Sequence, residues 1–180
     1  MWKKTLLIMG LALLMVAPMN AQSISVGPQV GYYKAQDADE GNFMGGIAWR
    51  MKLMPSFGVE ASINYRQEKY VDDALTVRSW PIMVTGLIYP VSAAYGAIGA
   101  GWYNTTFDYN QDKVASLKDE TTQEFGWHFG GGVELPVGSN FKLTGDIRYV
   151  FLNYDFKEIP GSGNLDSNFY VVTVGFLYGL

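Results

Sequence analysis

Residues 124–154 read EFGWHFGGGVELPVGSNFKLTGDIRYVFLNY, and both halves of this stretch alternate with period two. In the first half Phe125, Trp127, Phe129, Gly131, Val133 and Leu135 fall on one parity, against Glu124, Gly126, His128, Gly130, Gly132 and Glu134 on the other. A turn signal follows at Pro136-Val137-Gly138-Ser139-Asn140. Phe141, Leu143, Gly145, Ile147, Tyr149 and Phe151 then share a face opposite Lys142, Thr144, Asp146 and Arg148. Successive side chains on a strand point to opposite faces, so this pattern predicts two long antiparallel strands. One face is aromatic and aliphatic, and the other holds charges and glycines. Strands in globular proteins run to about five or six residues, whereas a tilted strand needs about 9–11 to cross a bilayer. Apolar-out, polar-in strands of that length predict a transmembrane barrel.

The amino terminus fits an exported protein. Lys3 and Lys4 precede an apolar run from Thr5 to Ala17, and Pro18-Met19-Asn20-Ala21 places a small residue, Ala21, at the cut, with Met19 larger than the usual residue three positions before it. This predicts a secretory signal peptide over 1–21 and one barrel domain over 22–180. The apolar run is too short for the ~20 residues of a spanning helix. There are no cysteines, which excludes disulfides, lipid attachment and thiolate chemistry. The net charge of −4 and the lack of a Lys/Arg cluster leave no electrostatic footprint for nucleic acid.

Along the rest of the chain, strands are predicted over Ile24–Lys34, Phe43–Met54, Gly58–Glu68, Val77–Tyr89, Ala93–Thr106 and Asn168–Leu180. Pro28 weakens the first, because proline gives no ladder donor. Val77–Tyr89 is apolar on both parities; Trp80, Ile82, Val84 and Ile88 are taken as outward, and Met83, Thr85 and Tyr89 as inward. The glycine-rich strand Ala93–Thr106 has no parity that its sequence decides. A hairpin at Pro55-Ser56 brings Lys52 opposite or diagonal to Glu60, with Arg50 and Asn64 nearby.

The connections themselves alternate. Pro55-Ser56, Pro90-Val91-Ser92 and Pro136–Asn140 are short, whereas Ala35–Asn42, Lys69–Thr76, Phe107–Gln123 and Asp155–Ser167 are long and polar. Outer-membrane barrels are built this way. The expected fold is all-β: an eight-stranded antiparallel up-and-down transmembrane β-barrel in the outer membrane of a Gram-negative bacterium. Short turns and both termini would face the periplasm, the longer loops would lie outside, and outer-membrane lipid would surround a monomer.

The residues also carry a resemblance. Phe125–Val133, Leu143, Ile147–Phe151 and the glycine-rich Tyr95–Gly101 resemble the small outer-membrane β-barrel family of OmpW- and OmpA-like, porin-like domains. The ending, with Phe176, Tyr178 and Leu180, is similar to the carboxy-terminal signal that the barrel-assembly machinery reads, although many members end in Phe. The resemblance implies a barrel with a structural role, or passage of small or hydrophobic solutes, and allows an opening in the wall near Val77–Tyr89.

Candidate site residues follow from parity. Arg50, Lys52, Glu60, Arg66, Glu124, His128, Glu134, Lys142, Asp146 and Arg148 face the lumen, where an eight-stranded barrel leaves room for side chains only. Buried charges there need partners, so a salt-bridged plug is the expected arrangement. Tyr32, Trp49, Tyr65, Trp80, Trp127 and Tyr178 face outward and suit headgroup-level girdles. His128, the single histidine, is expected opposite Arg148 and diagonal to Asp146. A His–Asp general base would make the barrel a lipid-modifying hydrolase, but no serine neighbours it as nucleophile. One histidine is too little for a metal site, and no phosphate-binding glycine loop is present, so no metal or cofactor is expected. Beside the non-enzymatic barrel stands one more alternative, a soluble periplasmic lipocalin-like carrier.

Overall fold

A computed structural model describes residues 23–35, 41–70, 75–109, 120–152 and 168–180. Residues 1–22, where the sequence predicts a signal peptide, and residues 36–40, 71–74, 110–119 and 153–167, in or bordering the four long polar connections, lie outside the described residues. Eight strands follow one another: β1 (Ser23–Ala35), β2 (Asn42–Met54), β3 (Phe57–Tyr70), β4 (Leu75–Val91), β5 (Ala94–Tyr109), β6 (Glu120–Val137), β7 (Phe141–Leu152) and β8 (Phe169–Gly179). Each pairs antiparallel with the next, and β1 pairs with β8 to close the barrel. Closure removes every sheet edge, which is the condition for a sheet to sit in lipid. The turn end carries Pro55-Ser56, Ser92-Ala93 and Gly138–Asn140, and the loop end carries the other four connections.

Alternation of side chains holds around most of the wall; in β2 it breaks at Met51, expected outward with Trp49 and Leu53 but buried beside Arg50. In β8, Phe169, Val171, Thr173 and Leu177 are buried while Tyr170, Val172, Val174, Phe176 and Tyr178 are exposed. β4 is apolar on both parities because its inward Met83 and Leu87 belong to two apolar clusters inside the barrel, while Trp80, Val84 and Ile88 face out. Tyr95, Ala97 and Tyr103 are buried and Ile98 is exposed, which fixes the parity of β5 that its glycines conceal.

Pro28 is accommodated where the β1–β8 ladder is interrupted. Val26 pairs with Tyr178 and Gln29 with Gly175, with no β8 partner at Gly27 and Pro28, while Pro28 still faces Ile47 of β2. A missing N–H therefore costs no ladder bond on that side.

Two kinds of boundary differ from the sequence expectation. First, the turns are tighter. Pro136 and Val137 stay in β6, and Gly138 alone adopts a left-handed φ of 80° to reverse the chain. Pro90 and Val91 likewise end β4, and the turn is Ser92-Ala93. Second, the strands run on into the polar stretches. β3 reaches Tyr70, β4 starts at Leu75, β5 reaches Tyr109 and β6 starts at Glu120. Their outward polar side chains pair across strands: Gln123 Nε2 donates to Asn104 Oδ1 at 2.6 Å, and the Thr106 and Thr121 hydroxyls lie 3.2 Å apart. Loss of apolar character therefore marks where the wall changes surroundings, not where the strand stops.

Candidate functional site

The register of the hairpins decides which charges meet. Arg50 on β2 faces Glu60 on β3, and Lys52 faces Gly58, so Lys52 is diagonal to Glu60 and Arg50 makes the pair. The Arg50 guanidinium donates to Glu60 Oε2 from Nε at 3.0 Å and from Nη2 at 2.5 Å. Its Nη1 reaches across the lumen to Glu134 Oε2 on β6 at 2.8 Å. On β7, Arg148 donates from Nη2 to Glu60 Oε1 at 2.7 Å and to Asp146 Oδ2 at 3.0 Å, and from Nε to Asp146 Oδ1 at 2.9 Å. Lys142 Nζ lies 3.0 Å from Glu134 Oε1.

Two tyrosines complete the belt. Tyr95 accepts from Arg50 Nη2 at 3.1 Å and donates to Asp146 Oδ2 at 2.9 Å, which closes a ring through Arg50, Glu60, Arg148, Asp146 and Tyr95. Tyr89 donates to Glu134 Oε2 at 3.0 Å. Three cations, Arg50, Arg148 and Lys142, meet three carboxylates, Glu60, Glu134 and Asp146, so the belt is balanced in charge. Except for half-buried Lys142, each of the six is buried. An isolated charge in such surroundings costs several kcal/mol, and the geometry here gives each ion at least one charge-assisted partner.

His128 is fully buried, and its Nε2 lies 2.9 Å from Thr85 Oγ1. The expected pairing with Arg148 is displaced by two residues. Because the turn is only Gly138–Asn140, Val137 faces Phe141 and His128 faces Val150, while Arg148 faces Gly130 and Asp146 faces Gly132. Asp146 is taken by Arg148 and Tyr95. The register therefore gives no His–Asp dyad; Thr85 is reached instead, across β5 at Gly99, where a side chain would run into the Val84 carbonyl and approach His128 Nε2 to 2.7 Å. Thr85 also accepts from Arg148 Nη1 at 3.2 Å, so His128 hangs on the edge of the belt.

The other charged candidates lie apart from it. Lys52 is half-buried with its ammonium 4.0 Å from the centre of the Tyr89 ring. Arg66 is buried at the loop end among Tyr33, Tyr103 and Phe169. Glu124 is half-buried on β6 facing Tyr103, and it makes none of the ion pairs among the described residues. Nor do the described residues contain a cluster of three or more His, Asp or Glu side chains that a metal would need.

Of the outward aromatics, Tyr32, Trp80, Trp127 and Tyr178 are between 42% and 51% exposed, which puts their rings on the surface of the wall. Most belong to pairs near the loop end: Tyr32 with Phe43 at 5.4 Å, Tyr65 with Trp80 at 4.6 Å, and Trp127 stacked on Phe151 at 3.9 Å. Tyr178 packs on Phe141 near the turn end at 5.2 Å. Trp49 faces Ala61 and Val26, away from both ends. Tyr95 is the belt member that parity alone misses. Its inward direction is readable only once the strand's register against His128 and Gly132 is known.

Comparison with known proteins agrees with this architecture. No curated protein matches the chain. Among solved structures, a major outer membrane protein from Thermus thermophilus is 14% identical, with 88% of this chain and 98% of that one covered and a TM-score of 0.63. Neisserial surface protein A is 10% identical over 87% of this chain and 95% of its own, with a TM-score of 0.59. Ail, the attachment invasion locus protein of Yersinia pestis, in complex with the heparin analogue sucrose octasulfate, is 17% identical over 88% and 97%, with a TM-score of 0.55. At such identities the likeness is one of fold. The sequence itself matches the outer membrane protein beta-barrel domain over residues 6–178, nearly its whole length. With a closed eight-stranded barrel and that match, this chain belongs to the outer membrane protein beta-barrel domain family.

Proposed function

We propose that this is a non-enzymatic outer-membrane barrel whose lumen is shut by its ion-paired belt, so that it acts as a structural wall element presenting its loop end to the outside. The observation that carries this reading is the belt itself. Glu60 and Glu134 each bridge two cations, and the bridges join β2 and β3 to β6 and β7 across the interior. A side-chain network that fills the cross-section leaves small solutes no polar path. In this reading residues 1–21 direct export, and the barrel-assembly machinery takes up the C-terminal strand Phe169–Gly179. The mature protein then stands as a monomer in outer-membrane lipid, with its turn end in the periplasm. His128 has no carboxylate within hydrogen-bond reach to orient it, and the Thr85 hydroxyl beside it is also bound by Arg148 Nη1, so in this reading His128 is a packing residue.

The absence of cysteine makes topology directly testable. A cysteine placed at Gln123, exposed near the loop end, is expected to react with a membrane-impermeant maleimide on intact cells. One placed at Ser139 in the turn should react only after the outer membrane is opened. Equal labelling of both positions on intact cells, or recovery of the protein in the periplasm without detergent, would overturn the reading.

A further inference from the structure

Above the belt, towards the loop end, the lumen changes character. Tyr33 from β1, Tyr103 from β5 and Phe169 from β8 surround the guanidinium of Arg66 from β3, whose Cζ lies 5.1, 5.9 and 4.6 Å from the three ring centres. The rings meet edge to face: Tyr33 and Phe169 are 6.0 Å apart, and Tyr103 and Phe169 are 6.1 Å apart. All three are at most 4% exposed, and Met44, Met83 and Leu152 pack with them in one apolar cluster. A cation held over several desolvated ring faces is bound more strongly than one at an open surface. The charges of the belt balance without Arg66, so this cage is a separate feature.

Three rings about one cation form the arrangement by which proteins recognise compact organic cations. Here the guanidinium of Arg66 is itself the demonstration that the cage takes one. The cage also lies at a mouth of the barrel, since Phe169 is the first residue of β8 and Tyr33 stands two residues before the end of β1. Arg66, at 8%, is the most exposed of its four members and sits on a long side chain with several rotatable bonds. We propose that this cage is a binding site for a compact organic cation of the guanidinium or quaternary-ammonium class, with Arg66 as an internal occupant that the ligand displaces. The ion-paired belt below makes it a blind pocket, a receptor site at the outer mouth instead of a stage in a channel.

The test uses the full-length mature chain folded in octyl glucoside, a detergent without a cationic group. Tetramethylammonium chloride is the probe, followed by saturation-transfer NMR of its methyl protons, with sodium chloride as the ionic control. Wild type is expected to bind saturably, Arg66→Ala to bind about tenfold more tightly because the internal competitor is gone, and Phe169→Leu to bind more weakly than wild type. The proposal is overturned if wild type shows no saturable binding, if folded Arg66→Ala binds no more tightly, or if Phe169→Leu binds as well as wild type. Should Arg66→Ala fail to fold, the comparison of wild type with Phe169→Leu decides alone.

Discussion

Glu60→Gln is expected to lower the unfolding free energy of the barrel by about 3–5 kcal/mol, because it removes one partner of a buried ion network and strands the others. Glu60 is 1% exposed and holds two arginines at once, Arg50 through Oε2 and Arg148 through Oε1. A glutamine has the same shape but no charge, and its amide nitrogen would turn a donor towards one of the two guanidinium groups. Both arginines would remain buried with an excess of positive charge. Lys142→Ala offers the contrast. Lys142 sits at the rim of the belt with a side chain 23% exposed, and an ion pair with that much solvent contributes less than about 1 kcal/mol. Urea titration of protein folded into phospholipid vesicles, followed by tryptophan fluorescence, would give both values. A Glu60→Gln midpoint no lower than that of Lys142→Ala would show that the belt does not hold the barrel together.

The second large effect concerns the outer wall. Ile147→Lys is expected to cost about 2–4 kcal/mol, as for a lysine on the lipid face near the middle of a bilayer. Ile147 is 53% exposed, lies midway along β7 and faces Gly131 on one side and Val172 on the other. If water covered this wall, the same substitution would be close to neutral or would improve solubility. Gln123→Lys, outward on β6 among the polar pairs near the loop end, should change stability by about 0–1 kcal/mol, as expected near the interface. The same vesicle titration measures both. Equal effects at the two positions would argue against a bilayer that ends between them.

Much of the fold can be read from residue order because period-two alternation survives in most of the strands. Inward Arg50, Glu60, Arg66, Glu134, Asp146 and Arg148 stand out as charges among apolar neighbours on the other parity. What escapes the sequence has physical causes. β5 hides its parity because Gly96, Gly99 and Gly101 carry no side chain to declare a face. Pro136 resembles a turn residue, yet it is paired within β6, and the reversal after Val137 needs only Gly138 and its two successors. That difference moves every pair in the β6–β7 hairpin by two positions and replaces His128–Arg148 with His128–Val150. Polar stretches such as 107–109 and 120–123 resemble loops because hydropathy reports the surroundings of a wall, whereas strand pairing depends on the backbone. The belt's closure through Tyr95 depends on three registers at once, and no single hairpin reveals it.

Electrical recording tests most directly whether paired charges shut the lumen. Purified mature protein, folded and inserted into a planar lipid bilayer in neutral salt, is predicted to leave the membrane at its baseline current under applied voltage of either sign. Sustained discrete current steps from the wild-type protein would contradict the account, because they require a continuous polar path past Arg50, Glu60 and Arg148.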